Sequence, residues 1–276
     1  MRSQHASPKD PLSQFRLDGC VAFLSGATGL LGRSMSSALA AAGAHVILNA
    51  RTLENLESLV TELSSDANHV SIACFDVTHE NAISNLVSEV GSKYGRLDIL
   101  INNASSGRAC TFDQATIEDF QQSYRINVTA AFQLLQSLLP LLKESGKHRP
   151  GGASVINIGS MYGGVSPDPS IYGASGANNP PFYGAAKAGL LQLTRYAACH
   201  LAPDHIRVNC ISPGPFPADR YLKNDPEFGH RLSAKVPMRR TGDPNELQGP
   251  LLFLASDASS YVTGINLAVD GGWTAW

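Results

Sequence analysis

Residues 20–32 read CVAFLSGATGLLG, and this stretch decides the fold. Cys20 to Ser25 is a short run without polar alternation, the pattern of a strand buried on both faces of a parallel sheet. It leads directly into three glycines, each with a task at a strand-to-helix turn. Gly26 permits the tight turn, Gly29 lets the backbone approach a pyrophosphate, and Gly32 lets the following helix pack closely, while the helix start offers unpaired N–H groups to an anion. An ordinary glycine loop is the competing reading. The position after a buried strand near the N-terminus favours the phosphate turn, with Gly26, Thr28, Gly29, Leu30, Leu31 and Gly32 as its contacts.

Outward from this turn, apolar runs recur at His45–Ala50, Val70–Phe75, Leu97–Ile101, Ser154–Ile158, Ile206–Ile211 and Ile265–Val269, which with the first makes seven candidate strands. Between most of them apolar residues fall at three-and-four spacing, as at Leu53, Leu56, Leu59, Val60 and Leu63, the mark of amphipathic helices. Strand and helix alternating with short connections imply right-handed crossovers. The expected fold class is therefore α/β: a doubly wound, seven-stranded parallel sheet, Rossmann-like, with helices on both faces. No repeat or composition break marks a second domain. The expected organisation is a flexible arm over residues 1–14 and one domain over 15–276, with a Gly, Pro, Ser and Asn-rich insertion at 163–181.

With 43% hydrophobic and 16% charged residues among 276, the chain has ample material for a core. A net charge of -2 and the lack of any Lys/Arg run argue against nucleic acid as a partner. The five scattered cysteines form no CxxC pair, so neither a disulfide framework nor a metal site is indicated, and a reducing compartment suits them. The polar N-terminus lacks a signal-peptide core and no segment approaches a membrane span, so a cytoplasmic location without a membrane partner is expected.

The adenosine end of a dinucleotide is read from the second strand, which ends Asn49-Ala50-Arg51. A protein preferring NAD places a carboxylate there for the ribose 2′-hydroxyl. Here Arg51 offers a guanidinium to a 2′-phosphate, which favours NADP(H), with NAD(H) still usable; a plain solvated arginine is the alternative. Asp76, after the third strand, either meets the adenine edge or caps the following helix.

Tyr183-Gly-Ala-Ala-Lys187 places a phenol and an ammonium on one helix face, and no other tyrosine of the eight has a lysine four residues on. A phenol titrates near pH ~10 in water, so Tyr183 acts as a base near neutrality only where positive charge favours the phenolate; Lys187 and a nicotinamide cation are the expected sources. In the reducing direction the same phenol donates its proton as hydride reaches carbon. A surface Tyr and Lys pair is the bland alternative.

In this setting the chain resembles the short-chain dehydrogenase/reductase family from Phe15 to Gly272. The matches arrive in order: SGATGLLG as the cofactor turn, FDV at Phe75 to Val77 as the adenine contact, and NNA at Asn102 to Ala104. Then follow Asn127 in RINVTA, Ser160 in IGSMYG, YGAAK, SPG at Ser212 to Gly214, and FLASDASSYVTG…VDGG. The resemblance implies that Ser160 hydrogen-bonds the reacting oxygen, Tyr183 exchanges its proton, Lys187 holds the nicotinamide ribose, and Asn127 anchors a proton-relaying water. It also implies cofactor contacts at Val77, Asn103, Ala104, Ser105, Pro213, Gly214 and Phe216, and a homodimer or homotetramer formed through long helices and the C-terminal segment. The apolar end from Gly272 to Trp276 suits burial against another subunit or closure of the core.

Several positions depart from the family pattern. Leu30 stands at the middle glycine, giving the spacing of the extended members, and Ser25 replaces the first Thr; those members are longer and carry a separate substrate-binding region, so the compact single-domain type stays the expectation, with a variant turn. Ser105 replaces the last glycine of NNAG. Pro215, Phe216, Pro217 and Ala218 stand where a Thr often contacts the nicotinamide carboxamide. The insertion between Ser160 and Tyr183 is about ten residues beyond the usual spacing. Both its ends are tied to the catalytic residues, so Tyr162, Asp168, Asn178 and Asn179 are expected to shape a polar pocket for a sugar, sugar acid or polyol, a solvent loop or subunit contact being the alternative. The activity implied is hydride transfer between NADP(H) and a carbonyl or alcohol carbon. The rivals are a cofactor-retaining epimerase or dehydratase and a non-catalytic NADP(H) sensor or scaffold.

Overall fold

A computed structural model describes residues 10–63, 69–173, 175 and 178–276. Seven strands, β1 (Val21–Leu24), β2 (His45–Ala50), β3 (Val70–Cys74), β4 (Ile99–Asn102), β5 (Ala153–Ile158), β6 (Ile206–Pro213) and β7 (Asn266–Val269), form one sheet in the order β3-β2-β1-β4-β5-β6-β7. Every pairing is parallel. The nine helices are α1 (Leu30–Ala41), α2 (Leu53–Glu62), α3 (Glu80–Tyr94), α4 (Ile117–Tyr124), α5 (Ala130–His148), α6 (Pro181–Leu201), α7 (Asp219–Asn224), α8 (Pro226–Ala234) and α9 (Gln248–Ala255), counted among the described residues. None of them is long and apolar enough to cross a membrane.

Successive strand residues face opposite sides of a sheet, and at the central strands both sides are covered, which is why these strands read as mainly apolar runs. Ala22, Leu24, Val46 and Leu48 join the cluster under α1, α2 and α9; Val21, Phe23 and Ile47 join that under α3, α5 and α6. The order reverses between β1 and β4, so a crevice opens at the carboxyl ends of these strands, where ligands of this architecture sit.

The expected strand runs hold with shifted edges, β1, β3 and β7 being shorter and β5 and β6 longer than expected. Leu97 and Asp98 precede β4 because Asp98 is a sheet-end anchor: its buried carboxylate accepts from Val21 N at 2.7 Å and Ser145 Oγ at 2.6 Å. The arm falls mostly outside the described residues, but Pro11–Phe15 forms a 3-10 turn capped by Asp10. The insertion is not a featureless loop. It contains a 3-10 turn over Pro169–Tyr172, and Pro181 already belongs to α6.

Candidate active site

The glycine turn has the predicted economy of space. Gly26 adopts φ +66°, and a Cβ there would come within 2.9 Å of Ala104 Cα; one on Gly32 would collide with the Gly26 carbonyl oxygen. A Cβ at Gly29 meets only ordinary contact, so its bareness serves an approach from outside. Gly29 is the N-cap of α1 and provides no side-chain cap, which leaves the first-turn N–H groups open to an anion. Ser25 replaces Thr without loss of bracing: its Oγ accepts from Asn103 N at 3.0 Å and Ala104 N at 3.1 Å, while Asn103 Nδ2 donates to the Gly26 carbonyl at 2.9 Å.

A cleft of 460 Å³ follows this turn, lined by Gly26, Thr28, Gly29, Leu30, Leu31, Gly32, Arg51, Asp76, Val77, Asn103, Ala104, Ser105 and Phe216, as expected, and also by Thr52 and Asn55. The Arg51 guanidinium is exposed and has no hydrogen bond or ion pair among the described residues. Asp76 is engaged locally, its Oδ1 accepting from Thr78 N at 2.9 Å and Thr78 Oγ1 at 2.8 Å. Two expected contacts sit elsewhere. Pro213 is the buried last residue of β6, its backbone in register with Val269, and it does not line the cleft. Gly214 lines the neighbouring cavity instead.

That second cavity, of 660 Å³, meets the cleft at Ser105, Ser106 and Phe216 and holds Ser160 and Tyr183 in its wall. Ser160 follows β5, and its Oγ accepts from Tyr162 N at 3.2 Å. Lys187, one turn beyond Tyr183 on α6, is 2% exposed; its Nζ donates to the Ile158 carbonyl at 2.7 Å and stands 5.6 Å from the Tyr183 ring centroid. Hydroxyl, phenol and ammonium are thus brought together at the junction of the two cavities, Lys187 behind the wall.

Electrostatics correct one expectation. Lys187 does not hold the phenol acidic: burial pushes Tyr183 above its ordinary value, with the Ser160 hydroxyl opposing. The ammonium donates to a carbonyl, stands 5.6 Å from the ring centroid and is itself pushed down to about 8 by burial, and beside it the desolvation of the phenol prevails. Tyr183 therefore rests as a proton donor.

Asn127 lies in a π-helical turn, Arg125–Thr129, joining α4 to α5. Its Nδ2 donates to the Ser123 carbonyl at 2.9 Å and its Oδ1 accepts from Ser105 Oγ at 2.9 Å. The serine at the glycine position thereby links Asn127 to the cavity wall.

Of the insertion residues, Tyr162, Asn178 and Asn179 line the cavity and Asp168 does not. The Asp168 carboxylate caps Ser170 N at 2.8 Å and pairs with Lys235 Nζ at 2.6 Å, just after α8. Here the sequence reasoning missed a partner. The segment after β6 folds back as α7 and α8, supplying Tyr221, Asn224, Asp225, Phe228 and Leu232 to the cavity. Asp225-Pro226, a side-chain cap followed by Pro at the first helical position, was the available signal. Arg231 of α8 donates from Nε to the Ile171 carbonyl at 2.7 Å, and the Tyr172 and Phe228 rings stand 5.8 Å apart, so the insertion is the seat of α8. Arg231→Ala is expected to raise KM for the carbonyl substrate roughly tenfold, the worth of one charge-assisted hydrogen bond, with NADPH affinity little changed; steady-state kinetics beside an NADPH titration check it. At the C-terminus Trp273 closes this core edge-on to Tyr162, centroids 6.4 Å apart, while Trp276 stays exposed.

Known proteins resemble this chain in sequence and in fold. The family model described as Enoyl-(Acyl carrier protein) reductase matches residues 26–274. The chain is 35% identical over 257 residues to the 3-oxoacyl-(acyl-carrier-protein) reductase FabG of Thermotoga maritima, covering 93% of this chain and 98% of that one. Among solved structures, the Pseudomonas aeruginosa RhlG/NADP active-site complex superposes with a TM-score of 0.86 at 33% identity, over 95% of this chain and 99% of that one. A gluconate 5-dehydrogenase from Burkholderia cenocepacia, in complex with NADP and tartrate, gives 0.84 at 29% identity, over 97% of this chain and 100% of that one.

Proposed function

The chain belongs to the short-chain dehydrogenase/reductase family, and from that premise we propose an NADP(H)-dependent oxidoreductase that interconverts a carbonyl and a secondary alcohol on a sugar, sugar acid or polyol. The observation that carries this reading is the meeting of Ser160, Tyr183 and Lys187 where the glycine-turn cleft joins the insertion-walled cavity.

The residues present fit the cofactor. The bare Gly29 surface and open α1 N-terminus suit a pyrophosphate, Arg51 suits a 2′-phosphate, and two solved neighbours are NADP complexes. When bound, the nicotinamide supplies or accepts the hydride. The chain's own residues do the rest. Ser160 Oγ steadies the substrate oxygen, and Tyr183 passes its proton to that oxygen during reduction. Lys187 secures the end of β5 through Ile158 and keeps a positive charge beside the phenol. Asn127, aligned by Ser105 and Ser123, serves the proton path behind them.

Consumption of NADPH by a panel of ketones tests the reading. Arg51→Glu is expected to lower kcat/KM with NADPH by roughly 10- to 100-fold, the worth of charge-assisted bonds to a phosphate, and to favour NADH. Faster turnover with NADH in the parent enzyme would contradict the Arg51 assignment. The exposed Phe120, Tyr124 and Phe132 beside the long helix α5 support a homodimer or homotetramer, and five cysteines free of disulfides support a cytoplasmic setting.

A further inference from the structure

We infer that the cavity beside Tyr183 selects an uncharged, hydroxylated ring ketone, and that Tyr172 and Asn179 of the insertion recognise one of its hydroxyl groups. The inference rests on the oxidoreductase reading above and narrows its substrate.

Charge comes first. Two charged side chains line the cavity among the described residues, Arg108 and Asp225, and both are engaged. Arg108 donates to the Asp119 carboxylate from Nε at 3.1 Å and from Nη2 at 2.6 Å, and also to the Gln114 carbonyl at 2.8 Å. Asp225 caps Phe228 N at 2.9 Å and pairs with Arg231 at 3.1 Å. The nearby cations Lys187 and Lys235 are held by Ile158 O and Asp168. Residues 174, 176 and 177, outside the described set, are Ala, Gly and Ala and bring no charge. A carboxylate or phosphate entering this cavity loses hydration and meets no free cation, a cost that an uncharged ligand escapes.

The walls then favour a ring with polar edges. Met161, Tyr172, Phe228 and Leu232 give an apolar face on which the C–H side of a ring packs. Beside it, Asn179 Oδ1 is buried and has no hydrogen-bond donor. The neighbouring Asn178 instead accepts, through its Oδ1, from Asn179 N at 2.8 Å. Tyr172 lines the same cavity and carries a phenolic hydroxyl that can donate. A buried acceptor lacking a donor and a phenolic donor thus share the lining of one cavity. A hydroxyl is both at once, and a modest turn of the Asn179 amide, whose terminal torsion is broad, brings the pair onto it. A carboxylate can only accept, and an apolar ketone carries no polar group besides its reacting carbonyl.

The test measures NADPH-dependent kcat/KM for neutral keto sugars and keto-inositols, their carboxylated counterparts such as 5-ketogluconate, and apolar cyclic ketones such as cyclohexanone. It includes Asn179→Ala and Tyr172→Phe, the second of which keeps the ring that packs on Phe228. The expected best substrates are neutral and hydroxylated, and each variant lowers their advantage over cyclohexanone roughly tenfold, mostly through KM. A carboxylated or apolar best substrate overturns the inference, as does an advantage that survives both variants. Reduction of cyclohexanone with no gain from any neutral hydroxylated ketone overturns it while leaving the oxidoreductase reading standing. If NADPH binds and no carbonyl compound is reduced, both fall.

Discussion

Replacing Tyr183 with Phe is expected to lower kcat for NADPH-dependent ketone reduction by roughly 10²- to 10⁴-fold, the usual contribution of a positioned general acid. The substitution removes one oxygen. The ring keeps its place on α6, and the glycine turn, Arg51 and the Asn103 brace are untouched, so NADPH should bind as before. Steady-state turnover paired with an NADPH fluorescence titration separates the two effects. The direction of the loss also has a physical origin. Burial favours the neutral phenol, so the parent enzyme begins each reduction with its proton already in position. In the oxidising direction Tyr183 must first give that proton up, and a bound oxidised nicotinamide would favour the phenolate through its positive charge. A Tyr183→Phe variant as active as its parent would instead support a sensor or scaffold.

What could be read in the sequence was local or periodic. The central strands were legible because both sheet faces are covered there: Val21, Phe23 and Ile47 enter one core cluster while Ala22, Leu24, Val46 and Leu48 enter the other, so apolar residues dominate each run. The glycine turn was legible because crowding at Gly32 and the positive φ at Gly26 exclude other residues. Tyr183 and Lys187 were legible because a helix repeats every 3.6 residues.

Contacts between distant segments left no such trace. Asp168 was assigned to the pocket because nothing local reveals Lys235, 67 positions away by number (235 − 168), as its partner. Tyr172 was overlooked for the same reason: only the arrival of α8 turns it into a wall of the cavity. The Tyr183 phenol was misjudged because spacing gives proximity to an ammonium without giving burial, and at this site desolvation outweighs an ammonium already committed to Ile158.

Lys187→Met is expected to inactivate the enzyme and to reverse sign in its effect on stability between neutral and alkaline pH. Burial depresses the Lys187 pKa from 10.5 to about 8, a difference of 10.5 − 8 = 2.5. The unfolded chain therefore binds this proton more tightly than the folded one, and stability from this group is lowest below about pH 8 and rises as pH climbs towards the unfolded value. At about 1.4 kcal/mol for each step of pKa, the burden at pH 7 is roughly 3 kcal/mol. Methionine is close in size and removes it, but leaves the Ile158 carbonyl without its donor, a cost of about 1–3 kcal/mol at every pH. The variant should thus be as stable as its parent or more so at pH 7, and less stable at pH 10, with the difference moving by about 2–3 kcal/mol across that interval. Denaturant unfolding of both proteins at the two pH values checks this, and a stability difference independent of pH would mean that Lys187 is not a buried cation at neutral pH. The same proton sets the upper edge of activity: reductive kcat/KM should decline above about pH 8, as Lys187 loses the charge it keeps beside Tyr183.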